Sequence, residues 1–174
     1  TQGILAVCKM PEHNITNIFG DTLLICDGVS DPGNLGTLIR TAECSGVNGV
    51  VLLKGTTDPY SPKVVRSTMG SIFRVPVYFA QVHEIGEYLK NYALIATLLD
   101  GSKNLYDINF PQKIAVVVGN EAHGISKEVA DMAQIRTFIP MCGKSESLNA
   151  SVAGSVVMYE IYRQKYRFES DITK

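Results

Sequence analysis

Thr22-Leu23-Leu24-Ile25-Cys26-Asp27-Gly28, followed by Asp31-Pro32-Gly33-Asn34-Leu35-Gly36-Thr37-Leu38-Ile39-Arg40, is the stretch on which the fold turns. Its first part is a short apolar run that stops at Asp27-Gly28, the pattern of a strand buried on both faces of a parallel sheet. The second part changes period. Leu35, Leu38, Ile39 and Ala42 recur at helical spacing, which predicts a helix over 34–45 with Asn34 able to cap it.

The same alternation continues outward. A strand is expected over 49–53, closed by Gly55, and Ser61-Pro62 opens a helix with proline in its first turn, where the missing N–H costs nothing. The run 75–79 reads as an edge strand, because Pro76 cannot donate to a ladder. A helix over 82–90 and a strand over 93–99 follow, and after a polar stretch come the most apolar strand (114–118) and a shorter one (135–140). A long helix over 148–165 ends the pattern, with Leu148, Val152, Val156 and Tyr159 along one stripe. No repeat, linker or low-complexity tract interrupts it. The fold class is α/β, one domain with a mostly parallel sheet and helices on its faces.

The 174 residues suit one core, and 45% apolar against 19% charged residues excludes disorder. No apolar run approaches the roughly 20 residues of a membrane span, and the start lacks a basic leader, so a cytoplasmic protein without a membrane partner is expected. Thr1 is no natural first residue, which suggests a piece of a longer protein. The four cysteines, Cys8, Cys26, Cys44 and Cys142, form no C-x-x-C pair, and no Cys/His cluster has metal-ligand spacing. A reducing compartment and no metal are expected. A net charge of −1 excludes a domain that holds nucleic acid by bulk charge alone.

Three loops follow apolar strands, where open α/β sheets bind ligands. In 31–40, Gly36 permits close backbone approach, yet the G-x-x-G is neither a dinucleotide fingerprint nor a P-loop, and taken alone it reads first as a plain helix start. In Gly119-Asn120-Glu121-Ala122-His123-Gly124-Ile125-Ser126, two glycines bracket polar residues, a loop able to present backbone groups to a flat hydrogen-bonding ligand. The bland alternative is a tight turn with Ser126 capping the next helix. In 139–153, Ile139, Met141 and Leu148 offer apolar faces to an aromatic base, and Ser147 and Asn149 offer hydrogen bonds. Core packing with Ser147 as a helix cap is the alternative there.

Taken together, the loops resemble the SpoU–TrmH family of RNA ribose methyltransferases, within the SPOUT superfamily of knotted proteins. Asn34, Gly36 and Arg40 match the family's Asn-x-Gly-x-x-x-Arg; Gly119, Glu121 and Gly124 match its Gly-x-Glu-x-x-Gly. Ile139, Pro140, Met141, Gly143, Ser147, Leu148 and Asn149 match Ile-Pro-Met-x-Gly followed by Ser-Leu-Asn. The resemblance covers about 20–163, nearly the whole chain. It divides the chain into a junction from an absent N-terminal RNA-recognition domain (1–19), the methyltransferase domain (20–168) and a tail (169–174).

The resemblance implies a C-terminal trefoil knot that cradles S-adenosylmethionine. Gly119, Ile139 and Leu148 would be its main contacts, with Leu98, Asn120, Met141 and Ala153 close by. It implies attack of a ribose 2′-hydroxyl on the methylsulfonium. Arg40 would stabilise the developing alkoxide or grip a phosphate, since an arginine is an awkward base. Asn34, Glu121, Ser147 and Asn149 would orient the ribose and Arg40; His123 receives no role. Lys63, Arg66 and Arg74 are candidates for RNA phosphates, although a solvated helix face explains them as well. The implied partners are RNA, ribosomal before transfer RNA, and a second copy of the chain. Three rival readings stand beside this one: a non-catalytic RNA-binding or assembly protein of the same fold, a tRNA-directed or base-directed enzyme, and a plain nucleotide-binding α/β protein.

Overall fold

The structure, a computed structural model, describes residue 3 and residues 6–98, 103–144 and 147–166. Seven strands are found among them: β1 (Thr22–Asp27), β2 (Gly49–Leu52), β3 (Val77–Phe79), β4 (Ala93–Thr97), β5 (Lys103–Asn104), β6 (Ile114–Gly119) and β7 (Ile135–Phe138). They form one sheet in the order β3-β2-β1-β6-β4-β7-β5, and every registered pair is parallel. The helices are α1 (Pro32–Cys44), α2 (Pro62–Ser67), α3 (Val82–Tyr88), α4 (Lys127–Asp131) and α5 (Ala150–Tyr166).

The central strands are buried on both faces, as their unbroken apolar runs require. Leu24, Cys26, Val116 and Val118 face one layer, where Leu35, Leu38, Ile39 and Ala42 of α1 meet Val64 of α2 and Val157, Met158 and Ile161 of α5. Their alternates Leu23, Ile25, Ala115 and Val117 face the other, against Ile85 of α3 and Val129 of α4. Each of the Leu, Ile, Val and Met side chains among them, fully buried, contributes roughly 1.5–3 kcal/mol. The result is a sheet between two helical layers.

β3 lies at the sheet edge as Pro76 requires; Pro76 joins the ladder only as an acceptor, its carbonyl taking the Val50 N–H at 2.9 Å. Several boundaries differ from expectation. α1 starts two residues early, because Asp31 caps it: Asp31 Oδ1 accepts from the Asn34 N–H at 2.8 Å, and Pro32 fills the first turn. Asn34 is therefore inside the helix, not its cap. Likewise Asn149, not Ser147, opens α5, its Oδ1 accepting from the N–H groups of Ser151 (2.9 Å) and Val152 (3.2 Å). Ser126 precedes α4 without a side-chain cap. Regular pairing in β4 stops at Thr97; Leu98 donates its N–H to the Thr137 carbonyl at 2.9 Å, and Leu99 lies outside the described residues.

β7 lies between β4 and β5, although both precede it in the chain. Residues 99–102, between β4 and β5, lie outside the described residues. No described helix is long and apolar enough to cross a membrane. What matters for the site is that all strands point one way. Asp27 stands beside Gly119 and Thr97 beside Thr137, so the loops leaving β1, β6, β4 and β7 emerge side by side on one edge.

Candidate functional site

The loop after β6 is built tightly from its sequence. Asn120 and Gly124 exchange backbone hydrogen bonds of 2.9 and 2.8 Å, and Gly124 takes a φ of +71°, which a side chain would strain. A Cβ on Gly119 would collide with the main chain of Gly124 and Ile125, so the strand end tolerates only glycine. The Asn120 side chain donates to the Gly28 carbonyl (2.8 Å) and accepts from the N–H groups of Ala122 and His123 (2.9 and 3.0 Å). Asn120, expected to touch a cofactor, thus spends its amide as a staple between two loops. Asp27, buried at the end of β1, accepts from the Ser126 N–H at 2.7 Å and fixes the loop's exit.

This frame aims Glu121 at the start of α1. One carboxylate oxygen accepts from the N–H and hydroxyl of Ser30 (3.0 and 2.8 Å), the other from the Asp31 N–H (3.1 Å) and Asn34 Nδ2 (2.9 Å). Partial burial works against ionisation, but the hydrogen bonds from Asn34 and Ser30 outweigh it and hold the carboxyl down at about 2. An ionised carboxylate only accepts, so Asn34 must turn its NH₂ toward Glu121 and its oxygen the other way. That oxygen accepts from Asn149 Nδ2 at 3.0 Å, while the Ser151 hydroxyl shares its one proton between Asn149 Oδ1 (2.7 Å) and Asn34 Oδ1 (3.2 Å). Asn149 is oriented in turn, leaving its own oxygen to cap α5. The charge on Glu121 thereby sets the amide orientations across all three loops.

The structure brings together Asn34, Glu121 and Asn149, which are 87 and 115 residues apart along the chain when counted from Asn34. It does not bring Arg40 into that cluster. Arg40 lies six residues beyond Asn34 on α1, about 9 Å along the axis, exposed and without a hydrogen bond or ion pair among the described residues. Ser147 is exposed and makes no such bond among them either. Gly119 is buried, Leu98, Ile139 and Ala153 are half-buried, and Met141 and Leu148 remain 39% and 38% exposed. Ser30, Asp31, Ser151 and Asp27 escaped the sequence reading. For Asp31 the signal was present, since an Asp followed by Pro marks a helix start. Of the basic candidates, Lys63 reaches Asp31 at 3.9 Å, whereas Arg74 is held by Glu43 at 2.8 and 3.2 Å. Among the described residues no group of three or more His, Cys, Asp or Glu is placed to hold a metal.

An all-parallel α/β sheet with a polar relay joining three loops at its carboxyl edge belongs to the class of open α/β proteins whose ligands bind outside the strand ends. Residues 21–159 match the model of the SpoU rRNA Methylase family, and the chain belongs to that family. It is 35% identical over 162 residues to the 23S rRNA (guanosine(2553)-2′-O)-methyltransferase RlmP of Bacillus subtilis, covering 92% of this chain and 64% of that protein. The AdoMet-bound rRNA methyltransferase from Sinorhizobium meliloti superposes with a TM-score of 0.85 at 34% identity, over 90% of this chain and 62% of that one. The chain therefore spans less than two thirds of either relative. A second structure, solved for insight into the 2-OH methylation of C/U34 on tRNA, is matched with a TM-score of 0.74 at 27% identity, over 85% of this chain and 98% of that one.

Proposed function

We propose that this chain transfers a methyl group from S-adenosylmethionine to a ribose 2′-hydroxyl of RNA, ribosomal RNA first. The observation that carries the reading is the Glu121–Asn34–Asn149 relay, an oriented polar cluster where the three loops meet. It is supported by family membership and by the relatives' 2′-O and AdoMet-bound descriptions.

The residues present fit the cofactor. Met141 and Leu148 are large apolar side chains left partly uncovered near the strand ends, surface that a flat base would cover. Gly119, Ile139 and Leu148 would hold it, with Leu98, Met141 and Ala153 beside them and Asn120 acting through the loop shape. When bound, the sulfonium supplies an already activated methyl group. What remains for the protein is positioning and charge. The relay holds Asn34 and Asn149 in one orientation toward the ribose. Arg40, outside the relay and without a hydrogen bond or ion pair among the described residues, is proposed to reach in with its guanidinium toward the alkoxide that forms as the 2′-hydroxyl releases its proton to solvent. The C-terminal segment is proposed to thread through a loop as a knot, so that the segments 119–126 and 139–153 form the cofactor pocket.

The site is proposed to work in a cytoplasmic homodimer. Val152, Tyr159, Tyr162 and Tyr166 stand exposed on α5, an apolar stripe a second copy would cover. The test is incubation with methyl-labelled S-adenosylmethionine and ribosomal RNA, then nucleoside analysis. Label in 2′-O-methylribose supports the reading; label in a base, or none with a folded protein, overturns it. A transfer RNA substrate is the second reading, favoured by the near-complete match to the structure solved for tRNA methylation. The same assay run on transfer RNA separates the two.

A further inference from the structure

The carboxyl edge of the sheet does not stop at the relay. Next to β1, the ends of β2 and β3 enclose a cleft of about 270 Å³ lined by residues 52–56, 79–81 and Glu84. Its floor is tied to the α1 entry loop. Thr56 donates its hydroxyl to the Cys26 carbonyl (2.9 Å) and accepts from the Gly28 N–H (3.1 Å), and Thr57 donates to the Val29 carbonyl (2.9 Å). The cleft and the relay are thus joined through the 26–29 segment. Phe79, the last residue of edge strand β3, stands on it 59% exposed, an aromatic ring that the core does not use. Lys54 lines the same cleft, exposed and without an ion pair among the described residues. The carboxylate there, Glu84, is engaged by the Gln81 N–H at 2.7 Å in the α3 capping box.

We propose that this shelf carries the single-stranded RNA flanking the target nucleotide, with a base stacked on Phe79 and a backbone phosphate on the Lys54 ammonium. The proposal rests on the methyl-transfer reading. β3 lies two strands from β1, about 10 Å across the sheet, within reach of nucleotides neighbouring one held at the relay. An exposed aromatic face beside an unpaired cation is what a single strand requires, since every base has a face to stack and every linkage a charge. A chain of net charge −1 has to concentrate its RNA grip in a few such places.

The test is fluorescence anisotropy of a labelled single-stranded oligouridylate with the whole chain and the variants Phe79→Leu, Phe79→Trp and Lys54→Ala. Thermal melts and S-adenosylmethionine calorimetry run alongside. Phe79→Leu should weaken RNA binding about tenfold while Phe79→Trp retains it, because leucine keeps the apolar bulk and loses the stacking face. Lys54→Ala should lower the slope of log affinity against log salt by about 0.7, one phosphate on a single strand. Cofactor affinity should be unchanged in all three. Oligouridylate binding that is absent in the parent chain, equal in the Phe79→Leu variant, or equally lost in both Phe79 variants overturns the proposal. So does a lower light-scattering mass for Phe79→Leu, which would mark the patch as a protein contact. A parent chain that binds RNA as described yet takes up no S-adenosylmethionine defeats the methyl-transfer reading instead.

Discussion

Glu121 is the residue on which the site's order depends, and its ionisation makes that dependence measurable. Its folded pKa, about 2, lies below the ordinary glutamate value of 4.5, so its contribution to stability is complete above 4.5 and is lost as pH falls through 2. Because the side chain is largely exposed, solvent screening limits that contribution to about 1 kcal/mol. Glu121→Gln would place an NH₂ group against donors from Ser30 or Asp31 and release the fixed orientation of Asn34. Urea unfolding should show the variant less stable by about that amount at pH 7, with the gap closing by pH 2; a gap independent of pH would show that the carboxylate charge is not its source. Arg40 makes the complementary case, since nothing among the described residues leans on it. Arg40→Ala should leave the melting temperature and cofactor affinity unchanged while methyl transfer falls by ~10²–10³, the cost of losing one electrostatic stabiliser. Single-turnover rates at saturating cofactor check this, and retained activity within a few-fold removes Arg40 from the chemistry.

At the scale of elements, what the sequence made legible was what local pattern can encode. The unbroken apolar runs of β1 and β6 announced strands buried on both faces, and Pro76 announced an edge. What stayed hidden depended on partners far along the chain. Lys103-Asn104 carries no strand signal; β5 exists because Thr137 and Phe138 offer it a ladder. Asn34 is as good a helix cap as Asp31 by residue type, but Glu121 draws it into the relay from 87 residues away. Asn120 looked free to meet a ligand because nothing local shows that Gly28 claims its amide. Glycine spacing marked the β6 loop, yet only packing shows why Gly154 of α5 must also be small. A Cβ there would lie 2.6 Å from Leu38 Cδ2 and 2.8 Å from Val118 Cγ2, in the layer joining α1, α5 and β6. Gly154→Val should therefore push α5 off the sheet at a cost of about 1–3 kcal/mol, lowering the melting temperature by about 2–12 °C. Calorimetry that found no loss would mean that α5 packs more loosely than these contacts require.

For the molecule as a whole, charge and exposed surface set what it does alone. The tyrosine stripe on α5 should bury in a two-fold dimer, so light scattering at micromolar concentration should give twice 19.0 kDa. Pairing does not make the molecule basic, because each copy brings 16 Lys and Arg against 17 Asp and Glu. Several of those cations are already committed. Arg74 is paired to Glu43, Arg163 to Glu160, and Lys165 is held by the carbonyls of Asp21 and Gln112 and the Thr22 hydroxyl. The other cations are offset by the 17 acidic residues, and the salt dependence of binding counts only those that come together on a phosphate backbone. The chain should accordingly bind RNA weakly, with a slope equivalent to only a few phosphates, while binding S-adenosylmethionine well. Since the chain spans less than two thirds of its Bacillus relative, the remaining grip is proposed to come from a basic RNA-recognition domain. Joining such a domain ahead of residue 1 should tighten binding and steepen the slope without altering cofactor affinity. Filter-binding titrations of both forms across a salt series decide it: tight binding with a steep slope by the 174-residue chain alone would require a concentrated basic face, against the expectation from a net charge of −1.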